Sequence, residues 1–264
     1  MRAGYAARGM VYLIVGGIAL FAAINGGEAE GSTGALEFLV KQPFGQVLLG
    51  IVAIGLFAYT AWRLLDGVMD LEGEGDDAEG YASRAGQLLS GATHALLGVS
   101  AVAIILNGAE ARAAGERNTA ESWAAALIDT PFGRAVIIAA GIVTICVGIY
   151  LFIKSHKAAY RSKIHKTETT QSLAPVIRFG LVAHGVVLLI IGGLIAWAGL
   201  SHNPESAAGL GEALRILETQ AFGRILLGIA GAGLAGFAIY CFVMARYRIA
   251  PELAGGNVST LSQL

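Results

Sequence analysis

Six stretches of the chain, each 19 to 26 residues long, contain no Asp, Glu, Lys or Arg. A helix needs about 20 mainly apolar residues to cross the hydrocarbon core of a bilayer. In addition, 14% of all residues are charged and 55% are hydrophobic, a composition typical of membrane proteins. The sequence therefore predicts an all-α, polytopic membrane protein with six transmembrane helices. The charge-free stretches are Gly9–Gly27, Gln42–Trp62, Ala85–Ala109, Ala135–Ile153, Phe179–Pro204 and Ile225–Ala245.

An arginine followed by three glycines occurs three times along the chain with the same internal spacing. The sets are Arg2, Gly4, Gly9 and Gly16; Arg84, Gly86, Gly91 and Gly98; and Arg178, Gly180, Gly185 and Gly192. A Phe-Gly pair follows each set, with its glycine at Gly45, Gly133 and Gly223. Self-similarity of this kind is the signature of a repeat architecture. We therefore expect three tandem helical hairpins with pseudo-threefold repetition.

The repeats divide the chain into three hairpins, two loops and a tail. The hairpins are residues 1–68, 84–156 and 176–248; the acidic cytoplasmic loop is 69–83, the basic cytoplasmic loop is 157–175, and the C-terminal tail is 249–264. Within each hairpin the pattern predicts a short interfacial helix, at Ala35–Val40, Trp123–Ile128 and Leu210–Leu217. The second long helix of each hairpin is expected to have Pro43 or Pro131 in its first turn. Trp62, Tyr150 and Tyr240 predict an aromatic belt near its end.

The order of these motifs is similar to that of a known family. An Arg-x-Gly start, a glycine-bearing span, a polar connection and Pro-Phe-Gly before a second span resemble the bacterial membrane family called domain of unknown function 1206. The first copy fits best, through Arg8-Gly9-Met10-Val11-Tyr12 and Gln42-Pro43-Phe44-Gly45; the second has Ser90 in place of Arg8, and the third has Ala221 in place of the proline. The resemblance implies six helices in three pairs. It implies no activity and assigns no functional residue.

Lysine and arginine residues are unevenly divided between the two sides of the predicted membrane. Twelve lie beside the termini and the loops between hairpins, and six lie on the opposite side, at Lys41, Arg112, Arg117, Arg134, Arg215 and Arg224. Because cytoplasmic segments carry the excess of basic residues, this predicts a multi-pass protein of the bacterial inner (plasma) membrane with both termini in the cytoplasm. The first stretch is expected to be a retained helix and not a cleaved signal peptide, because it is one copy of an internal repeat.

Polar side chains occupy two equivalent positions on the first helix of each hairpin. Six residues after the leading arginine stand Arg8, Ser90 and His184; ten residues after it stand Tyr12, His94 and Leu188. Residues four apart share a helix face, so the five polar residues are expected to converge in the inner half of the membrane. Polar groups at this depth are costly and indicate a functional site. The alternative is structural: Arg8 extends to the cytoplasmic surface, and each histidine bonds a nearby carbonyl or hydroxyl.

Predictions also follow for three further sets of residues. Small residues let helices approach closely in lipid, which predicts helix-packing positions at Gly9, Gly16, Gly91, Gly98, Gly185 and Gly192. The basic loop predicts contact with anionic lipid headgroups through Lys154, Lys157, Arg161, Lys163 and Lys166, although topology alone would also place these charges there. The acidic loop from Asp70 begins like a calcium loop but has Tyr81 where the closing carboxylate belongs, so we expect a solvated loop.

The sequence shows no nucleophile constellation, phosphate-binding loop or catalytic carboxylate pair. We therefore expect no enzyme, catalytic residue, metal or cofactor. The leading interpretation is a non-enzymatic scaffold that interacts with membrane lipids, a membrane-protein partner or another copy of itself, and not with nucleic acid. One alternative is a small-solute channel or carrier with a polar cavity in the inner half of the membrane. A second alternative is a protein that binds haem between His94 and His184.

Overall fold

The computed structural model describes residues 1–107 and 119–249. Two parts of the sequence prediction, the connection that contains Arg112 and Arg117 and the tail from residue 250, lie outside the described residues. Within them the chain forms ten α-helices, which are α1 Arg2–Asn25, α2 Ser32–Val40, α3 Gly45–Met69, α4 Ala78–Asn107, α5 Thr119–Ile128, α6 Gly133–His156, α7 Glu168–Ser172, α8 Ala174–Ser201, α9 Leu210–Glu218 and α10 Gly223–Tyr247.

Six of these helices, α1, α3, α4, α6, α8 and α10, are long and apolar enough to cross a membrane. The three short helices α2, α5 and α9 each lie between the two long helices of one hairpin. The predicted fold class, three tandem hairpins of an all-α polytopic membrane protein, is therefore confirmed. We call the side that carries α2, α5 and α9 the hairpin face. The opposite side, which carries Met1 and the loops between hairpins, is the terminal face.

The long helices form a closed ring in chain order. Helix α1 packs on α3, α3 on α4, α6 on α8 and α8 on α10, and α10 returns to α1. Helices α4 and α6 meet over a smaller area, although they belong to the same hairpin. The three hairpins are therefore joined to one another by extensive seams, and the second hairpin is the least tightly closed.

The repeat glycines lie at the seams between successive hairpins. A Cβ atom added to Gly16 would lie 2.7 Å from the carbonyl oxygen of Gly231 in α10, and one added to Gly192 would lie 2.8 Å from that of Gly141 in α6. Gly98 instead faces a side chain across the seam between α4 and α3, because a Cβ atom added there would lie 3.1 Å from the ring of Phe57. Glycines Gly9, Gly91 and Gly185 face the same neighbouring helices. At Gly16, Gly185 and Gly192 the helix backbones approach closely because no side chain separates them.

The Phe-Gly pair marks a turn that precedes each second long helix. Phe44, Phe132 and Phe222 adopt left-handed backbone conformations, with φ of 60°, 66° and 62°. The next residue must be glycine, because a Cβ atom there would collide with a carbonyl oxygen at the end of the preceding short helix. The long helix begins at that glycine. Pro43 and Pro131 consequently lie in the turn, so their predicted place in the first helical turn was wrong.

Adjacent glycines in α8 allow a direct test of the seam between α6 and α8. Gly192 contacts the α6 backbone, whereas a Cβ atom added to Gly193 would meet nothing within 4 Å. We expect Gly192→Ala to lower the melting temperature of the purified protein, because overpacking costs about 1–3 kcal/mol. Gly193→Ala should leave it unchanged or raise it slightly, because alanine favours helix. Equal melting temperatures for the two variants would contradict the assigned seam.

Candidate functional site

A cavity of about 670 Å³ lies inside the ring of helices. Side chains of α1, α4, α6 and α8 form its walls, together with Leu56 of α3. It extends from Arg8 and His184, on the terminal side, to residues of α2, α5 and α9 at the hairpin face. Its volume is within the range of about 300–1,000 Å³ that is usual for small-molecule sites.

Arg8 lies at the terminal end of this cavity, about 9 Å along α1 from Arg2 at the rise of an α-helix. Its Nη1 atom donates a hydrogen bond to the hydroxyl of Tyr59 over 2.7 Å. The guanidinium carbon also lies 4.9 Å from the ring centre of Phe237 and 5.5 Å from that of Tyr12, within the range of cation–π contacts. No carboxylate of the described residues forms an ion pair with Arg8, and its Nε atom is buried without a hydrogen-bond partner among them.

His94 reaches the cavity from α4 and has one ring nitrogen fixed by the backbone. Its Nδ1 atom lies 2.7 Å from the carbonyl oxygen of Ser90, one helical turn earlier. A carbonyl oxygen can only accept, so Nδ1 carries a hydrogen and donates it. The ring also lies 4.6 Å from that of Tyr59, between centres. Nε2 is therefore the ring nitrogen of His94 that does not bond the backbone of α4.

His184 reaches the cavity from α8 and is held by aromatic contacts. Its ring stacks on Phe237 with 4.0 Å between centres, and Tyr12 meets it edge to face at 4.9 Å. The side chain is 2% exposed, and Nδ1 has no hydrogen-bond partner in the part of the chain that the structure describes. A buried polar atom without a partner costs about 1–3 kcal/mol, and a hydrogen bond donated to this nitrogen would remove that cost.

The five polar residues predicted from the sequence all line this one cavity. They come from α1, α4 and α8, the first long helices of the three hairpins: Arg8, Tyr12, Ser90, His94 and His184. Arg8 does not extend to the terminal face as the structural alternative required, because Tyr59 holds it. His94 does bond a carbonyl, as that alternative required. Whether the cluster is a functional site stays a prediction.

In residues 1–107 and 119–249, no group of three metal-ligating side chains is close enough to hold a metal ion.

A network of hydrogen bonds closes the cavity toward the terminal face. Tyr59, which accepts from Arg8, also accepts from Nε of Arg63 over 3.1 Å. Arg63 donates through Nη2 to the hydroxyl of Tyr5 over 2.8 Å, and Arg248 donates to the same hydroxyl over 2.8 Å. The network therefore connects the end of the cavity with the last described residues of the chain.

Glu72 of the acidic loop completes this network and is not solvated as expected. Its side chain is 6% exposed and forms ion pairs with Arg248, with Lys163 at 2.7 Å and with Arg63 at 3.6 Å. Burial alone would raise the pKa of Glu72, but the three cations together lower it to about 2. Burial lowers the pKa of Lys163, whereas Glu72 and Glu74 raise it to a net value above its ordinary range. The prediction of a solvated loop was wrong for Glu72, because cations distant in sequence pair with it, whereas Asp76 and Asp77 of the same loop are exposed.

The basic loop contributes to the same region. Lys163 pairs with Glu72 and Glu74, and Lys154 donates to the hydroxyl of Tyr240 over 3.1 Å, so these two lysines have protein partners. Tyr240 is 4% exposed, and its assignment to an aromatic belt was therefore wrong. Lys157, Arg161 and Lys166 are exposed, and their contact with anionic headgroups stays a prediction.

Comparison with known proteins places the architecture in a family. A family model described as Domain of Unknown Function (DUF1206) matches residues 3–70, 85–158 and 179–248, more than half of the chain. The chain belongs to this family. The DUF1206 match confirms the resemblance and its three tandem copies. The chain is also similar to the uncharacterised protein YxxB of Bacillus subtilis strain 168, with 27% identity over 252 residues that cover 94% of this chain and 90% of that protein. No solved structure matches the chain.

Glu72 allows a test of the closing network by pH. A depressed pKa means that ionised Glu72 stabilises the folded state above its unfolded pKa, near 4.5, and that this contribution is lost as the pH falls toward about 2. Glu72→Gln should therefore lower stability near neutral pH, by up to about 3 kcal/mol. The control is Glu74→Gln, because Glu74 is more exposed and pairs with Lys163.

We would measure melting temperatures of wild type and both variants from about pH 7 down to about pH 3. The gap between wild type and Glu72→Gln should narrow below pH 5, because wild type alone loses the ionised carboxylate. A gap that stays constant over this range would show that Glu72 is not ionised in the folded protein.

Proposed function

We propose that the protein binds a molecule with an anionic group in its central cavity and is not an enzyme. The observation that carries the proposal is Arg8 at the closed end of the cavity, without a carboxylate partner among the described residues. A cation inside a membrane protein is costly unless something compensates its charge. A bound phosphate or carboxylate would supply that compensation. Of the interpretations open from the sequence, this favours the solute-binding or carrier alternative over the scaffold.

The side chains around Arg8 suit recognition of such a group. An arginine has five N–H donors in a planar fork, and it often binds a phosphate or carboxylate through two of them. One Arg8 donor is used by Tyr59, and Nε has no partner among the residues described. The hydroxyls of Tyr12 and Ser90 and the rings of His94 and His184 line the same cavity and can accept or donate further hydrogen bonds.

Mass spectrometry of gently extracted protein tests this proposal. Wild type should retain a molecule that bears a phosphate, carboxylate or sulfate, and Arg8→Gln should retain about tenfold less or lower, because a hydrogen bond to a charged group is lost. Arg2→Gln is the matched control, because Arg2 is exposed on the same helix. Arg8→Lys, which keeps the charge, should retain an intermediate amount.

The other interpretations predict different results in the same experiment. A recurring protein partner together with an empty cavity would favour the scaffold interpretation. A Soret absorption band that disappears in His94→Ala and His184→Ala would favour the haem alternative. A retained anion that is equally abundant in wild type and Arg8→Gln would contradict the role of Arg8.

We further propose that the protein lies in a bacterial plasma membrane with its terminal face in the cytoplasm. The uneven division of basic residues supports this orientation. Single cysteines at Ser122 in α5 and Ser172 in α7, in a chain with Cys146 and Cys241 replaced by alanine, would report the two faces. In intact cells an impermeant maleimide should label the Ser122→Cys protein and not the Ser172→Cys protein. The reverse pattern would invert the orientation.

A further inference from the structure

We infer that the anionic group in the cavity belongs to a membrane lipid, and that one chain of this lipid occupies the seam between α4 and α6. The inference rests on the proposed function, because it names the class of molecule that Arg8 would bind. It depends on three observations: a loosely packed seam in one hairpin, the apolar walls of the cavity beside that seam, and the charge at its hairpin face.

In the first and third hairpins, a pair of small residues brings the two long helices together, and the second hairpin lacks this pair. In the first, Gly55 of α3 packs directly on Ala7 of α1; in the third, Gly233 of α10 packs on Ala183 of α8. Both glycines stand ten residues after the marker glycine, and both alanines stand five residues after the leading arginine. These contacts bring the two helix backbones together, as small residues do in lipid.

The equivalent positions in the second hairpin are Val143 and Leu89. Two larger side chains cannot form the same close contact, so α4 and α6 stay further apart. Gly86 shows the result, because a Cβ atom added there would meet one side-chain atom of Val147, at 3.0 Å. At the equivalent place in the first hairpin, a Cβ atom added to Gly4 would lie 2.7 Å from the backbone of Tyr59.

The seam continues into the cavity and is lined mostly by apolar side chains. Leu89 and Leu96 of α4 and Val136, Ala140 and Val147 of α6 all line the cavity. On α6 they extend from Val136 to Val147, about half the length of this helix. A hydrocarbon chain in this position would be in contact with apolar groups on both sides. A small hydrophilic anion would leave this part of the cavity without a matching surface.

The charges at the hairpin face disfavour entry of an anion from water. Three carboxylates line the cavity there, on Glu28, Glu30 and Glu212, with one basic residue, Arg215. Arg215 is paired with Glu212 at 2.5 Å. An anion that came from this side would pass a net negative charge before it reached Arg8. A lipid that entered between α4 and α6 would avoid these carboxylates.

The test uses the full chain in nanodiscs that contain phosphatidylglycerol and phosphatidylcholine. Native mass spectrometry after release from the nanodisc should find phosphatidylglycerol retained by wild type, and about tenfold less retained by Arg8→Gln. The double variant Leu89→Ala/Val143→Gly restores the small pair of the other hairpins and should also lose the lipid. The matched control is Val99→Ala/Ile142→Gly, which makes the same kind of change at positions of α4 and α6 that are 57% and 52% exposed and do not line the cavity. This control should retain the lipid.

A photoreactive lipid provides a second measurement if the seam variant does not fold. Phosphatidic acid with a diazirine in its acyl chain should crosslink wild type mainly within residues 86–96 and 136–147. The phosphatidylcholine analogue with the same chain should label the outer surfaces of all six spans more evenly. Equal labelling by the two lipids would overturn the inference.

Inorganic phosphate separates the failure of this inference from the failure of the proposed function. Phosphate is added to protein in phosphatidylcholine nanodiscs, and its effect on the melting temperature is compared in wild type and Arg8→Gln. If phosphate stabilises wild type alone, phosphatidylglycerol is not retained and the seam variant behaves as wild type, the ligand is a water-soluble anion and the lipid inference is wrong. If neither the stabilisation by phosphate nor the retention of phosphatidylglycerol depends on Arg8, the proposed function is wrong as well.

Discussion

Close approach of helix backbones through glycine is the constraint on which the rest of this structure depends. Inside a bilayer the hydrophobic effect does little to hold helices together, so packing contacts and hydrogen bonds must do so. Gly16 and Gly192 place α1 against α10 and α6 against α8 at near-contact distance of the backbones. These seams join one hairpin to the next and close the ring. The central cavity is the space that the helices enclose when these seams hold them side by side.

The terminal half of the ring is held by a different interaction. Arg63 and Arg248 both donate to Tyr5, and both are compensated by Glu72 from a loop on the terminal face. Breaking such a cluster by removal of one partner is costly, because the remaining charges stay buried without compensation. The loops between hairpins therefore do more than connect helices. They supply the carboxylate and the lysine that complete the closed end of the cavity.

The sequence predicted the architecture well and the polar network poorly, for physical reasons. Charge-free runs and repeat spacing can be recognised without knowing which residues are in contact, and they were sufficient for the six long helices and the three short ones. Arg8, His94 and His184 were found because equivalent positions could be compared among repeats. Glu72 and Arg248 were missed because their pairing joins residues far apart in the chain. Tyr240 was misassigned because its distance along the helix says nothing about which side of the helix faces the ring.

Fusion of the three hairpins in one chain explains how a single arginine can lie at the terminal end of the cavity. Three identical subunits would each contribute an arginine at the position of Arg8, and three like charges at close range in a low-dielectric interior would repel strongly. In this chain the equivalent residues are Arg8, Ser90 and His184. The same divergence replaces Tyr59 and Phe237, which contact Arg8, by Val147 in the second hairpin. The loss of symmetry thus leaves Arg8 without equivalent arginines in the other two hairpins. It also places the smaller residue, Val147, at the least tightly packed seam, between α4 and α6.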